Sequence, residues 1–363
     1  MIVVAKIGTS SITDDHGEID GAAVEKLCSE VADLRSQGHQ VVIVTSGAIA
    51  AGLPALGLSG KRPNDIATLQ AVSAVGQSRL MGVYGAALGG HGLVAGQVLL
   101  APLDFAHRSQ YLHARQTLNR LLELGVVPVV NENDAIADDE IRFGDNDFLA
   151  ALLANLVAAD LLVLLTDAPG LLSSDPRLEE GGSLIEEIVE IDHEMERAAG
   201  GRGTVRGSGG MASKLAAAKI ASWSGVRAVI AAADRAGVLA GAVDGRPGVG
   251  TVVWPRDRRL PARKLWIAFA MAMSGTIVVD DGARRALVER GRSLLPAGIV
   301  EVRGHFEADD AVEIADQAGK VFAKGLVRLS AVDLKAAAGR RTGDLPDGTP
   351  HEAVHADDLV SLP

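Results

Sequence analysis

Short apolar runs recur as far as about residue 250, at 2–7, 41–45, 94–99, 126–130, 161–166 and 227–231. None of them alternates with polar residues, which predicts strands buried on both faces. Between the first two, Val24, Leu27, Val31 and Leu34 carry the stripe of an amphipathic helix, and Gly38 is placed to end it. That is a strand–helix–strand unit. Helical spacing over 108–124, 146–158 and 211–223 continues the alternation. The pattern predicts an α/β fold, a mostly parallel sheet sandwiched by helices, with ligands at the C-terminal ends of the strands.

After Trp254 the pattern changes. Pro255-Arg256-Asp257-Arg258-Arg259-Leu260-Pro261 is charged, proline-flanked and aperiodic, as expected of a connection between domains. Short β-like pieces follow at 275–279, 299–302, 311–315, 321–325 and 326–329, and the chain becomes polar and rich in Gly, Asp and Pro from Ala336. The expected organisation is a first domain over 1–255, a linker over 256–273, a small β-rich domain over 274–350 and a loosely held tail over 351–363.

Composition narrows the function. Of 363 residues 48% are hydrophobic and 22% charged, which excludes whole-chain disorder. The net charge is −11, with both parts acidic when divided at Ser274, so the basic footprint of a nucleic-acid binder is missing. Only 3% of the residues are aromatic, too few for base-stacking platforms. The single Cys28 cannot form an internal disulfide, and the N-terminus lacks the order of a signal peptide, so a reducing cytoplasm is the expected location. The most apolar stretches are interrupted by polar residues or too short to span a membrane.

Several strand ends carry polar or glycine-rich loops. Lys6-Ile7-Gly8-Thr9-Ser10-Ser11 ends the first strand with a cation beside backbone N–H groups able to cradle a phosphate; a snorkelling lysine next to a plain turn gives the same pattern. Thr45-Ser46-Gly47-Ala48 opens a helix with small residues and fits either an anion site or an ordinary N-cap. Val130-Asn131-Glu132-Asn133-Asp134 and Phe143-Gly144-Asp145-Asn146-Asp147 bring carboxylates and amides to a strand end and a helix start. Capping explains one of these residues, not six. Hard oxygen ligands of this kind suit Mg²⁺, or the orientation of a small substrate's amino group. Gly207-Ser208-Gly209-Gly210-Met211-Ala212-Ser213-Lys214 puts a lysine in the first turn of a helix, where the helix dipole disfavours a cation unless an anion is bound. Thr166-Asp167 ends another strand ahead of a turn.

Three other matches fail on context. The G-x-G-x-x-A run at 207–212 follows polar residues rather than a strand, and no P-loop pattern occurs. His351-Glu352-Ala353-Val354-His355 has the zincin spacing but sits in the polar tail without a third histidine. Cys28 lies among Leu27 and Val31 with no basic neighbour, as a buried small hydrophobe would.

Together the five loops, in this order and spacing over 1–255, resemble the glutamate 5-kinase branch of the amino acid kinase family. Leu295-Pro296-Ala297-Gly298-Ile299 and the run 319–327 resemble the PUA domain that many members carry. The resemblance implies that Lys6, Lys214 and the loop Ser208, Gly209, Gly210, Met211, Ala212, Ser213 meet ATP phosphates, with Thr166 and Asp167 in the nucleotide region. It implies that Ser46, Asp134 and Asn146 contact glutamate, and that Asp145 and Asp147 organise Mg²⁺ and Lys6. Lys6, Lys214 and Asp147 are the expected catalytic set. Ser208 and Ala212 stand where relatives often have Thr and Ser, which alters hydroxyl contacts only. Proline as a feedback inhibitor, a following reductase of proline biosynthesis and a homo-oligomer are further implications. Two rivals remain at this level: a sibling kinase acting on another carboxylate, carbamate or nucleoside monophosphate, which should lack the paired Asn/Asp loops, and an RNA-binding PUA protein, which the acidic C-terminal part opposes.

Overall fold

In the computed structural model the described residues are all except 15, 60–62, 102, 137–145, 174–181, 193–194, 197–209, 258, 270, 272, 347, 349 and 363. The chain divides into two compact units, Met1–Arg259 and Leu260–Pro363.

The first unit is built on strands β1 (Ile2–Ile7), β2 (Gln40–Val44), β3 (Ala95–Leu100), β4 (Val127–Glu132), β5 (Leu161–Thr166), β6 (Glu187–Ile188), β7 (Arg227–Ala232) and β8 (Thr251–Val253). They form one sheet in the order β3-β4-β2-β1-β5-β7-β8-β6, parallel throughout except for the antiparallel β7–β8 pair. Its central strands are the unbroken apolar runs, and Leu161, Leu162, Val163 and Leu164 of β5 are completely buried. The helices are α1 (Gly21–Ser36), α2 (Ala48–Gly52), α3 (Ile66–Gly90), α4 (Leu103–Ala106), α5 (Arg108–Glu123), α6 (Asn146–Leu156), α7 (Met211–Trp223) and α8 (Val238–Asp244). Asp20 caps α1 by accepting from the N–H groups of Ala22 and Ala23, and the predicted stripe Val24, Leu27, Val31, Leu34 is its buried face.

From β1 the chain winds one way through β2 and β4 and the other way through β5 and β7. The C-terminal ends of β1 and β5 therefore flank the crevice at which a doubly wound sheet receives its ligand. The pattern of apolar runs did not contain α3, a 25-residue helix capped by Asp65. It contacts α2 backbone to backbone: a Cβ on Gly76 would fall 1.7 Å from the Ala48 carbonyl oxygen, and one on Gly52 2.1 Å from that of Val72.

The second unit holds α9 (Ala262–Phe269), α10 (Asp281–Arg290), α11 (Ala331–Ala337) and a five-stranded sheet in the order β10-β9-β11-β12-β13. These strands are β9 (Met273–Val279), β10 (Ile299–Gly304), β11 (Ala311–Ala315), β12 (Val321–Val327) and β13 (Val354–Ser361). Three differences from the sequence expectation stand out. The stretch 256–273 is not a plain linker, because α9 lies within it and joins the second unit: Lys264 donates to the Ala356 carbonyl and Lys324 to that of Ala268. The pieces 321–325 and 326–329 are largely one strand. The expected loose tail over 351–363 supplies β13, paired antiparallel with β12, and Ala353 and Val354 are fully buried in the core. No helix among the described residues is long and apolar enough to cross a membrane.

Candidate active site

The site starts at the end of β1. Val3, Ala5 and Ile7 enter one core cluster, so strand alternation turns Lys6 to the opposite face of the sheet. There Lys6 is 2% exposed and its Nζ lies 2.5 Å from Oδ1 of the fully buried Asp147. Asp147 stands in the first turn of α6, where a carboxylate is favoured by the helix dipole. Its other oxygen meets Lys214 Nζ at 3.2 Å and the Ser213 hydroxyl at 3.0 Å, both from the first turn of α7 behind the N-cap Gly210. Two ammonium groups thus face one carboxylate in a buried pocket. Asp147 is also the answer to the lysine that sits against the dipole at the start of α7.

One residue earlier on α6, Asn146 begins a second, uncharged cluster. Its Nδ2 lies within reach of the Thr45 carbonyl, of Ser46 Oγ at 3.0 Å and of Asn131 Oδ1 at 2.7 Å. Asn131 is buried at the end of β4 and donates through Nδ2 to Gln77 Oε1 at 2.8 Å. Just beyond β4, Asp134 accepts from Ser73 Oγ at 2.9 Å. Ser73 and Gln77 are one turn apart on α3 and both reach the end of β4. Ser46 leads into α2 through Gly47, whose φ of 98° lies in the left-handed region and lets the chain turn sharply. Behind it Thr45 Oγ1 shares a 2.8 Å hydrogen bond with the buried Tyr84 hydroxyl, and burial holds that phenol well above the usual tyrosine pKa.

The fold therefore brings Lys6, Asp147, Ser213 and Lys214 into one cluster and Ser46 and Asn146 into its neighbour, with Asp134 tied to the same α3 face. Met211 and Ala212 occupy the first turn of α7. Thr166 and Asp167 mark the end of β5, with Thr166 Oγ1 donating to Asp167 Oδ1 at 3.0 Å. Asp145, Ser208 and Gly209 lie outside the described residues. Sequence reasoning placed Asn131 in a polar motif without an individual role and missed Ser73, Gln77 and Tyr84. The available signal was polar residues on otherwise apolar, glycine-punctuated α3, where Ser73 and Gln77 share one face.

The sequence profile of the Amino acid kinase family matches residues 1–232, and that of the PUA domain matches residues 275–347. Named relatives extend over almost the whole chain. The "Glutamate 5-kinase" of Mycolicibacterium vanbaalenii is 45% identical over 360 residues, 99% of this chain and 96% of that protein. That of Anaeromyxobacter dehalogenans is 45% identical over 366 residues, with 99% and 96% covered. That of Pelobacter propionicus is 43% identical over 364 residues, with 99% and 97% covered. Identity of this extent, on a parallel sheet whose β1 and β5 ends carry the lysine and the threonine–aspartate pair, places the chain in the amino acid kinase family, in its glutamate 5-kinase branch, with a C-terminal PUA domain.

Proposed function

We propose that this protein transfers the γ-phosphoryl group of ATP to the side-chain carboxylate of L-glutamate, yielding L-glutamyl 5-phosphate, the first step of proline biosynthesis. The observation that carries the reading is the convergence of Lys6 and Lys214 on Asp147, directly beside the amide and hydroxyl cluster of Asn146, Ser46 and Asn131.

A glutamate side chain, with a reference pKa of about 4.3, is already ionised at neutral pH and needs no general base to attack phosphorus. The difficulty is electrostatic: two anions must meet, and the loose transition state spreads charge over the phosphoryl oxygens. Lys6 and Lys214 supply cationic donors in a buried setting, where each acts more strongly than in water. Asp147 holds both in place before substrate arrives, so little reorganisation remains for the reaction itself. Ser46 and Asn146 orient the acceptor and Asp134 its amino group; Thr166, Asp167 and residues 208–214 take the nucleotide.

Mg²⁺ is the expected companion of the nucleotide. Among the described residues no cluster of three His, Cys, Asp or Glu side chains is placed to hold a metal ion, and Asp147 has an oxygen engaged by each lysine. Asp145, the other aspartate expected to organise the metal, lies outside the described residues.

The family placement also supports proline as an inhibitor, since it shares the α-carboxylate and amino group but has no side-chain acceptor for phosphate. The labile acyl phosphate calls for a reductase to consume it. The test is ADP release with ATP, Mg²⁺ and a panel of L-glutamate, L-aspartate, carbamate and UMP. Glutamate should be turned over and aspartate far less, because its shorter chain misplaces the carboxylate. Turnover of carbamate or UMP without glutamate would overturn the reading.

A further inference from the structure

Gln77 is buried at 8% exposure beside the acceptor cluster, and its Nε2 has no hydrogen-bond partner among the described residues, in contrast to its Oε1. The orientation of this amide is dictated by a backbone group. The Glu132 N–H can only donate, and it donates to Asn131 Oδ1 at 2.9 Å. Asn131 must then present Nδ2 to Gln77, which obliges Gln77 to offer its oxygen and leaves its NH₂ group as the open end of the chain Asn146, Asn131, Gln77. A buried donor without an acceptor costs stability, and such groups in native structures call for a specific explanation. Its position is not slack: the adjacent Gly76 packs against the backbone of α2, fixing α3 relative to the Ser46 turn.

We propose that Gln77 is a specificity-determining residue of the acceptor site, its Nε2 donating a hydrogen bond to the α-carboxylate of the amino acid. The reacting carboxylate belongs beside Asp147 and its lysines; Asn146 is the neighbour of Asp147 on α6, and Gln77 is two hydrogen bonds further along the amide chain, which assigns it to the other end of an extended acceptor. Ser73, one turn away on the same helix face, carries Asp134, a carboxylate of the right sign for the α-ammonium group. A donor amide on one helix face, and a carboxylate beyond β4 held against that face by Ser73, form the complement of an amino acid head. This inference rests on the glutamate-kinase reading of the same site.

Gln77→Glu separates the two ends of the side chain, because it keeps an acceptor for Asn131 while replacing the donor by an acceptor. Steady-state kinetics of the full-length Gln77→Glu and Gln77→Met variants should show a KM for glutamate raised at least tenfold, with the KM for ATP within about twofold of the parent. L-Isoglutamine, whose α-carboxylate is an amide, provides the second readout: the parent's preference for glutamate over isoglutamine in kcat/KM should fall at least tenfold in either variant. If Gln77→Glu changes the ATP KM and lowers Tm, Gln77→Met and the isoglutamine ratio decide alone. An unchanged glutamate KM in both variants would overturn the proposal. So would a parent-like Gln77→Glu beside an impaired Gln77→Met, which would mean that Gln77 acts only through its oxygen on Asn131. Failure of the parent protein to phosphorylate glutamate would refute the functional reading, a result distinct from either of these.

Discussion

Asp147 sits between two lysines that the rest of the site needs, and its removal leaves two buried ammonium groups facing each other. Asp147→Ala should therefore lower stability by about 3–5 kcal/mol, the usual cost of breaking a buried ion pair from one side, measured by urea denaturation. Adding Lys214→Met should recover part of that loss, giving a double-mutant cycle that is clearly non-additive; strict additivity would mean the contact is not energetically coupled. Lys6→Met and Lys214→Met each leave the carboxylate one lysine and the Ser213 hydroxyl, so the fold should survive while kcat falls by ~10²-fold or more. A variant with unchanged kcat would take that lysine out of the mechanism. Cys28 is buried in α1 with its thiol pushed up to about 12, chiefly by desolvation and then by Glu25. Since the thiolate is the reactive form, iodoacetamide at pH 8 should leave the native protein unmodified and label it only after unfolding. At this scale Lys6 stood out in the sequence as a charge ending an apolar run and Lys214 as a cation set against a helix dipole, while Asp147 was singled out through the resemblance of its loop to the family. Gln77 was missed because its one signal, a face shared with Ser73 on an apolar helix, lies in α3, which the pattern of apolar runs did not contain.

Six of the eight strands of the first sheet could be read to within two residues, since burial of the central ones on both faces imposes an uninterrupted apolar run; the short β6 and β8 carry no such run and were not read. Helix α3 escaped for the converse reason. It is apolar and small on several sides, with Ser73, Gly76 and Gln77 buried among Val72 and Leu80, so no single stripe marks it. Gly76→Ala tests the close contact it makes. The new methyl group would overlap the Ala48 carbonyl, which belongs to backbone and cannot swing aside, so at least about 2 kcal/mol of stability should be lost. The glutamate KM should rise with it, because α2 carries the Ser46 turn; a neutral substitution would show that α2 and α3 are not locked. Strand β13 was misread because its polar residues and the Gly-, Asp- and Pro-rich stretch before it look like a tail. Pairing with β12 and burial of Ala353, Val354 and Val360 override that local signal. Deleting residues 353–363 should expose the β12 edge and abolish cooperative unfolding of the second unit, followed by hydrogen exchange; protection equal to the full chain would contradict this.

Every residue assigned here to chemistry or substrate belongs to Met1–Arg259, and the structural boundary falls ahead of α9 rather than after it. A chain ending at Arg259 should therefore retain glutamate kinase activity, whereas one ending near residue 271 would carry α9 stripped of the β12 and β13 groups it bonds, with Leu265 and Ile267 exposed. The two-unit organisation was visible in the sequence because periodicity and charge change together after Trp254. The extent of the second unit was not, since it depends on a helix and a strand recruited by long-range contacts. Formation of the acyl phosphate is the central claim, and it is tested most directly by trapping: the full-length protein is incubated with ATP, Mg²⁺, L-glutamate and hydroxylamine, and the product is identified by mass. The account predicts γ-glutamyl hydroxamate that requires both ATP and glutamate and falls ~10²-fold or more with Lys6→Met or Lys214→Met. ATP consumption with no hydroxamate, or hydroxamate formed equally by the lysine variants, would contradict it.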